Sequence, residues 1–362
     1  MKKRDVRFWL LAPALAAALA LVPIPPSAVE VAYSRGAYPF LQAIVTFVSN
    51  LVPIAILDLL IGAVVVLTVI RLAQLLHTAR RVSVMDAAWD GFRLMLRGAA
   101  LLAIAFVLMW GLNYRRAPLE AAVGNPGAPT EAMLLKAVAD ANALASKLRP
   151  AQGADSALTY PAVAAALERP MVDALRQLGR PTQFRPGRPK FSLILTPFFT
   201  WAGVNGMLNP LGLESIVHPD LLPFERGFVL AHEWAHLAGQ ADEAAASAIG
   251  WLACMKGGPA LAYSANLYLI LEAGGALPSA ARARAFKSLD VGVRADLAQI
   301  NERLRQQRPE VQRAASRVYD EYLRANRVED GAASYGRALT LILSPTMRGA
   351  IDDYRVPVRS GR

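Results

Sequence analysis

The chain has 362 residues, of which 54% are hydrophobic, with a mean hydropathy of +0.31 and a formal net charge of +11. That apolar excess excludes an ordinary soluble composition and makes a lipid bilayer the first partner to consider. Nucleic acid is not indicated, because the basic residues flank apolar runs and form no basic stripe interleaved with aromatics.

The apolar excess is concentrated before about residue 113. Lys2, Lys3, Arg4 and Arg7 precede an uncharged run from Phe8 to Ile24, just long enough for a retained span. Its competitor is a signal peptide processed near Pro25-Pro26-Ser27-Ala28. Leu51 to Ile70 follows with a single charge, Asp58, which is costly in lipid unless it faces another helix or water. Its closeness to Pro53 assigns it to an interface or a helix contact. The third run ends at Asn113, with Trp110 and Tyr114 as interfacial anchors.

Transmembrane helices are therefore expected at about 8–24, 51–70 and 96–113, within a membrane region 1–113. Arg71, Arg80, Arg81, Arg93 and Arg97 lie between the second and third. Positive charge holds short loops in the cytoplasm, so the N-terminus is expected inside and everything after Arg116 outside. Arg115 and Arg116 oppose this orientation but are outnumbered. In a bacterial cell this describes a multi-pass inner-membrane protein whose C-terminal domain is periplasmic or extracellular.

Residues 114–130 are rich in proline and glycine and read as a linker. Helices are expected over Glu131–Leu148 and Tyr160–Leu178, then a turn-rich break over Gln183–Pro189. Lys190–Thr196 reads as a strand, and Leu213–Val217 as a second, shorter one. Helix resumes from Phe224 to Leu237 and dominates to about Leu343. The lone cysteine, Cys254, excludes an intramolecular disulfide and reads as a small buried hydrophobe. The fold class is thus an α-helical membrane region of three transmembrane helices plus an α+β, mostly helical domain over 131–362.

The chemistry lies in His232-Glu233-Trp234-Ala235-His236. Histidines four apart on a helix share one face, one turn apart, and can hold a single Zn²⁺. Glu233 beside the first is placed to deprotonate a zinc-activated water that attacks a peptide carbonyl, and then to protonate the leaving amine. The flanking residues are apolar, as a buried active-site helix requires. A catalytic zinc needs a third protein ligand. Gly239 can turn the chain, and Asp242 and Glu243 follow it. Glu243 is favoured as the ligand, with Asp242 as the alternative ligand or a supporting partner. Either could instead be a carboxylate at a helix N-terminus.

These motifs resemble an uncharacterised bacterial family of three-span membrane proteins of the zincin metallopeptidase clan, known as a domain of unknown function. The resemblance runs through Tyr38-Pro39-Phe40, Leu51-Val52-Pro53 and Trp110-Gly111-Leu112-Asn113-Tyr114 in the membrane region. It continues with Leu208-Asn209-Pro210, the His232–His236 motif, Glu243, Ala246 and Ile249-Gly250-Trp251. Gly331 to Arg337 is similar to a further family motif. The resemblance implies a zincin-like fold with Glu243 at the acidic-ligand position. Ala245 and Ser247 depart from the pattern, which has an acid and an asparagine there.

Zincins lay substrate against an edge strand, and Leu213–Val217 is the expected edge. Tyr335 and Arg337 are the candidate transition-state donors beside the metal, the alternative being that Tyr335 packs and Arg337 forms a structural ion pair. His218 is a further candidate donor but reads first as a loop histidine on the surface. The expectation is a membrane-anchored zinc metalloendopeptidase of the HExxH type acting on protein or peptide. The alternative is a zinc-binding sensor or scaffold without turnover.

Overall fold

The computed structural model describes residues 3–79, 83–124, 127–149, 159–328, 337–352 and 354. The N-terminal part runs through α1 (Lys3–Leu21), one turn α2 (Pro26–Ala28), a π-helical segment Val29–Ala37 and α3 (Tyr38–Leu51). It continues with α4 (Ile56–Ala79), α5 (Val84–Met109) and a tight 3₁₀ turn, Gly111–Arg115.

Among the described residues, two helical stretches are long and apolar enough to cross a membrane, Ile56–His77 and Val84–Met109. A third crossing arises if Leu11–Leu21 and Pro26–Leu51, bent by 107°, count as one span. The second expected span therefore starts at Ile56 rather than 51. Leu51 closes α3, and the break contains Pro53, which cannot donate a backbone bond. The third starts earlier, at Val84, where the Ser83 side chain accepts from the Met85 N–H at 3.2 Å. It ends at Met109, before the 3₁₀ turn takes up residues expected inside the span.

Residues 25–50, between the first two expected spans, are largely helical. α3 is apolar on its exposed face, with Phe40, Ile44, Phe47 and Val48 outward, and polar on its buried face, with Gln42, Thr46 and Ser49 inward.

The stretch 114–130 is not a free tether. Leu119 and Val123, the latter in the short helix α6 (Glu120–Val123), are buried in the main core. The remaining elements are α7 (Glu131–Leu148), α8 (Tyr160–Gln177), α9 (Thr196–Ala202), β1 (Gly206–Asn209) and β2 (Glu214–Val217). Then come α10 (Arg226–Leu237), α11 (Glu243–Met255), α12 (Pro259–Ala276), α13 (Ser279–Lys287) and α14 (Val291–Leu304). α15 (Pro309–Ala325), α16 (Arg337–Ile342) and α17 (Pro345–Asp352) follow as the last elements among the described residues. Thr130 and Thr159 cap α7 and α8 by accepting from Met133 N–H and Ala162 N–H.

The expected strand over Lys190–Thr196 is a single bridge. Lys190 donates to the Ser215 carbonyl at 3.0 Å and accepts from Val217 N–H at 2.9 Å. From Ser192 the chain turns into α9, because the Ser192 hydroxyl accepts from Leu195 N–H and the Thr196 hydroxyl bonds the Ser192 carbonyl. Such local side-chain bonds compete with a strand ladder. β1 and β2 pair antiparallel, Gly206 opposite Val217 and Asn209 opposite Glu214. With β1 on one side and Lys190 on the other, β2 is not an edge. The free edge is β1.

α11 forms the centre of the core. All thirteen of its residues are buried, Cys254 among them, as expected of that cysteine. α10 packs along it at very short range: a Cβ on Gly250 would lie 2.9 Å from the His232 backbone nitrogen. Only glycine permits that approach, and it fixes the first histidine over the middle of α11.

Candidate metal centre

α10 presents His232 and His236 on one face, and α11 brings Glu243 to the same point. The His232 and His236 Nε2 atoms lie 3.0 Å apart, and Glu243 Oε2 lies 3.3 Å from the first and 3.4 Å from the second. Ligands about 2.0–2.1 Å from a tetrahedral zinc are about 3.3 Å from one another, so the triangle has the size of one face of such a site. Glu243 Oε2 is buried and accepts no hydrogen bond. A buried carboxylate oxygen without a donor is costly, and a cation held jointly with two imidazoles would satisfy it.

The turn between the helices builds this arrangement. Gly239 adopts φ 85°, a left-handed conformation suited to glycine, with its N–H on the His236 carbonyl and the Gln240 N–H on the Ala235 carbonyl. The Gln240 carbonyl then accepts from His236 Nδ1 at 2.6 Å, leaving Nε2 toward the triangle. His232 Nδ1 lies 3.2 Å from the Ser247 hydroxyl. Both histidines thus have the outer partner that orients a metal-binding imidazole. Tyr319 from α15 donates to Glu243 Oε1.

Burial would raise the Glu243 pKa, but the two histidines outweigh it and hold the carboxyl well below its ordinary range. Burial pushes Glu233 up to about 8. Glu233 lies beside the triangle with Oε2 buried and without a donor, and its Oε1 faces Gly206 of β1. A Cβ at that glycine would come within 2.6 Å of Oε1, so the strand approaches the acid only because residue 206 has no side chain.

Asp242 does not face the triangle. Its side chain accepts from Ala245 N–H at 2.8 Å as the N-cap of α11, and Arg337 NH2 donates to it at 2.6 Å. Arg337 also binds Glu120, at 3.1 Å. It therefore ties α6, α16 and the start of α11 together. Tyr335 lies outside the described residues. His218, expected on the surface, is buried after β2, with Nδ1 accepting from Asp220 N–H and Nε2 2.9 Å from the Thr200 hydroxyl.

Several residues of the site escaped the sequence reading. Tyr38 donates to the Leu237 carbonyl at 3.0 Å, and Arg116 to the Gly239 carbonyl at 2.8 Å while also binding Glu30. The Trp110 ring stands edge-on to His236 with centroids 6.3 Å apart. The signal is present in the motifs of the membrane region, where Tyr38, Trp110 and Asn113 read as parts of that region because sequence spacing does not show them beside the histidine helix.

Fold and site together define a mostly helical protein, with apolar helices fit for a bilayer and a His–His–Glu cluster. The chain belongs to the family described as Protein of unknown function (DUF3810), whose model matches residues 33–343. That description names no activity. No curated protein and no solved structure matches the chain.

Proposed function

We propose that the chain is a membrane-anchored zinc metallopeptidase that cleaves protein or peptide, with His232, His236 and Glu243 as the metal ligands. The observation that supports this most is the triangle of ligand atoms, 3.0, 3.3 and 3.4 Å on its sides, around a buried carboxylate oxygen without a donor. Bound zinc supplies a Lewis acid there, lowering the pKa of water and polarising a carbonyl oxygen.

The protein's own groups do the rest. Glu233 takes the proton of the attacking water on its carboxylate and passes it to the leaving amine; burial, which favours the protonated acid, suits it to that transfer. The Asn205 carbonyl accepts from His218 N–H at 2.8 Å, which sets the alternation along β1 and turns the Gly206 and Leu208 peptide groups away from β2. An extended peptide can add there as a further strand, passing Glu233 at Gly206. Tyr319 and Ser247 hold the ligands in place.

The scaffold alternative draws on the departures at Ala245 and Ser247; the Ser247 hydroxyl, 3.2 Å from His232 Nδ1, supports the peptidase reading at one of those two positions. The orientation proposed is N-terminus in the cytoplasm of a bacterial inner membrane, with the metal centre on the periplasmic or extracellular side. Glu233→Gln should keep zinc while hydrolysis of a peptide substrate falls by about 10²–10⁴-fold. Wild-type turnover in that variant would refute the mechanism.

A further inference from the structure

We propose that the outward face of α3 and residues 191–201 rest in the bilayer as one apolar, lipid-facing surface. This surface sets the metal centre and the β1 edge at the membrane, so that membrane-anchored polypeptide near the lipid is the substrate. The substrate part rests on the peptidase reading; the lipid contact does not.

α3 is built inside out. Gln42 donates to the Arg185 carbonyl and Thr46 to the Leu213 carbonyl, each at 2.8 Å, while Phe40 is 72% exposed and Ile44 65%. A helix in water shows the opposite pattern. The stretch after Lys190 continues that surface: Leu193 is 79% exposed, and Phe191, Ile194, Phe198 and Trp201 are exposed with it. An apolar patch of this kind marks an interaction surface.

Its occupant follows from Asp58. The carboxylate accepts from the Ser192 hydroxyl and, at 2.6 Å, from the Leu193 N–H. Asp58 lies two residues into α4, whose membrane-crossing stretch of 22 residues contains an 18-residue apolar run with no buried residue. At about 1.5 Å per residue that stretch measures about 33 Å against a hydrocarbon core of about 30 Å. Asp58 therefore sits at the hydrocarbon boundary, and Leu193 beside it continues the lipid-facing surface of a spanning helix. The guanidinium groups of Arg185 and Arg308 lie over the Phe47 and Trp201 rings, 5.1 and 4.2 Å from their centroids, as cation–aromatic pairs do at the headgroup level. α9 ends at Ala202, so Gly206 is at most about 14 Å further along the chain.

The test is nitroxide accessibility in the full-length protein, reconstituted in phosphatidylcholine–phosphatidylglycerol vesicles. Cys254 is fully buried, so the label goes to Leu193→Cys or Ile44→Cys, with Ala280→Cys on α13 as the water-facing control. Oxygen should relax the labels at 193 and 44 more than a water-soluble nickel chelate does, and the order should reverse at 280. Chelate access at 193 equal to that at 280 would overturn the proposal. So would exclusion of both reagents, which would mean a protein contact. Zinc content of the same samples separates the two readings: labels in water with zinc retained would sink this surface alone. Leu193→Glu should lower cleavage of a vesicle-anchored peptide at least tenfold and leave a soluble peptide unaffected. Equal loss on both would refute the substrate class.

Discussion

α4 and α11 are both apolar helices with one acid near the start, and the fold uses them in opposite ways. α4, long and apolar enough to cross a membrane, contains an 18-residue apolar run with no buried residue, whereas every residue of α11 is buried. At thirteen residues α11 measures about 20 Å, too short to cross a bilayer. The acids differ in the same way. Both oxygens of Asp58 accept from fixed donors, Ser192 and Leu193, and join α4 to the domain above it. Glu243 has one oxygen on Tyr319 and the other aimed at two imidazole nitrogens with no donor. A buried acid satisfied by fixed donors serves as a structural joint; one aimed at two imidazole nitrogens has the geometry that the proposed metal site needs.

A second joint should give the largest effect. Lys190 Nζ donates to Glu214 at 2.7 Å and to the Ser49 carbonyl at 2.8 Å, fully buried, and Glu214 also accepts from Ile56 and Leu57 N–H. Lys190→Met should cost about 3–5 kcal/mol in denaturant titration, because it leaves a buried carboxylate unpaired. Acid should weaken the same joint. Burial raises the Glu214 pKa, but Lys190, Asn209 and the two backbone donors outweigh it and hold it below 4.5. Its stabilisation is therefore present above the unfolded value and lost as pH falls through the lowered one. Melting between about pH 6 and about pH 3 should show this in wild type and less of it in Glu214→Gln. An equal slope would contradict the assignment.

Glycines sharpen the comparison next. Gly250→Val puts a side chain against the His232 backbone and should destabilise by about 1–3 kcal/mol. Gly62→Val on α4 has open space around it and should leave the melting temperature unchanged. Equal effects would contradict the packing described for α11. The smallest change is Tyr319→Phe, which removes the bond to Glu243 Oε1 and should weaken zinc binding about tenfold in chelator competition. Unchanged affinity would exclude Tyr319 as a support of the ligand.

The features legible in the sequence are the local ones. Two histidines four apart need only a helix, and Glu243 needs only the Gly239 turn, so both lie where the spacing placed them. α7, α8 and β2 likewise lie where their periodicity and flanking residues put them. Features that depend on distant contacts were not legible. Gly206, Tyr319 and Trp110 reach the site from three other elements. Arg115 and Arg116 entered the reading as topological charges, yet Arg115 donates to carbonyls at the end of α1 and Arg116 binds Glu30 and Gly239. Apolar periodicity in α3 does not say which face turns inward; the polar face does, because its partners at Arg185 and Leu213 are more than a hundred residues away. Lys190–Thr196 has strand composition, but its Ser192 side chain ends the strand after one bridge.

The most direct test of the metal centre is metal content by mass spectrometry on detergent-purified protein, with Glu243→Gln and Asp58→Asn alongside wild type. The account predicts about one zinc per chain in wild type and in Asp58→Asn, and none in Glu243→Gln. Wild-type protein that takes up no zinc on reconstitution, or a Glu243→Gln variant that keeps it, would contradict the assignment of the His232–His236–Glu243 cluster as a metal site.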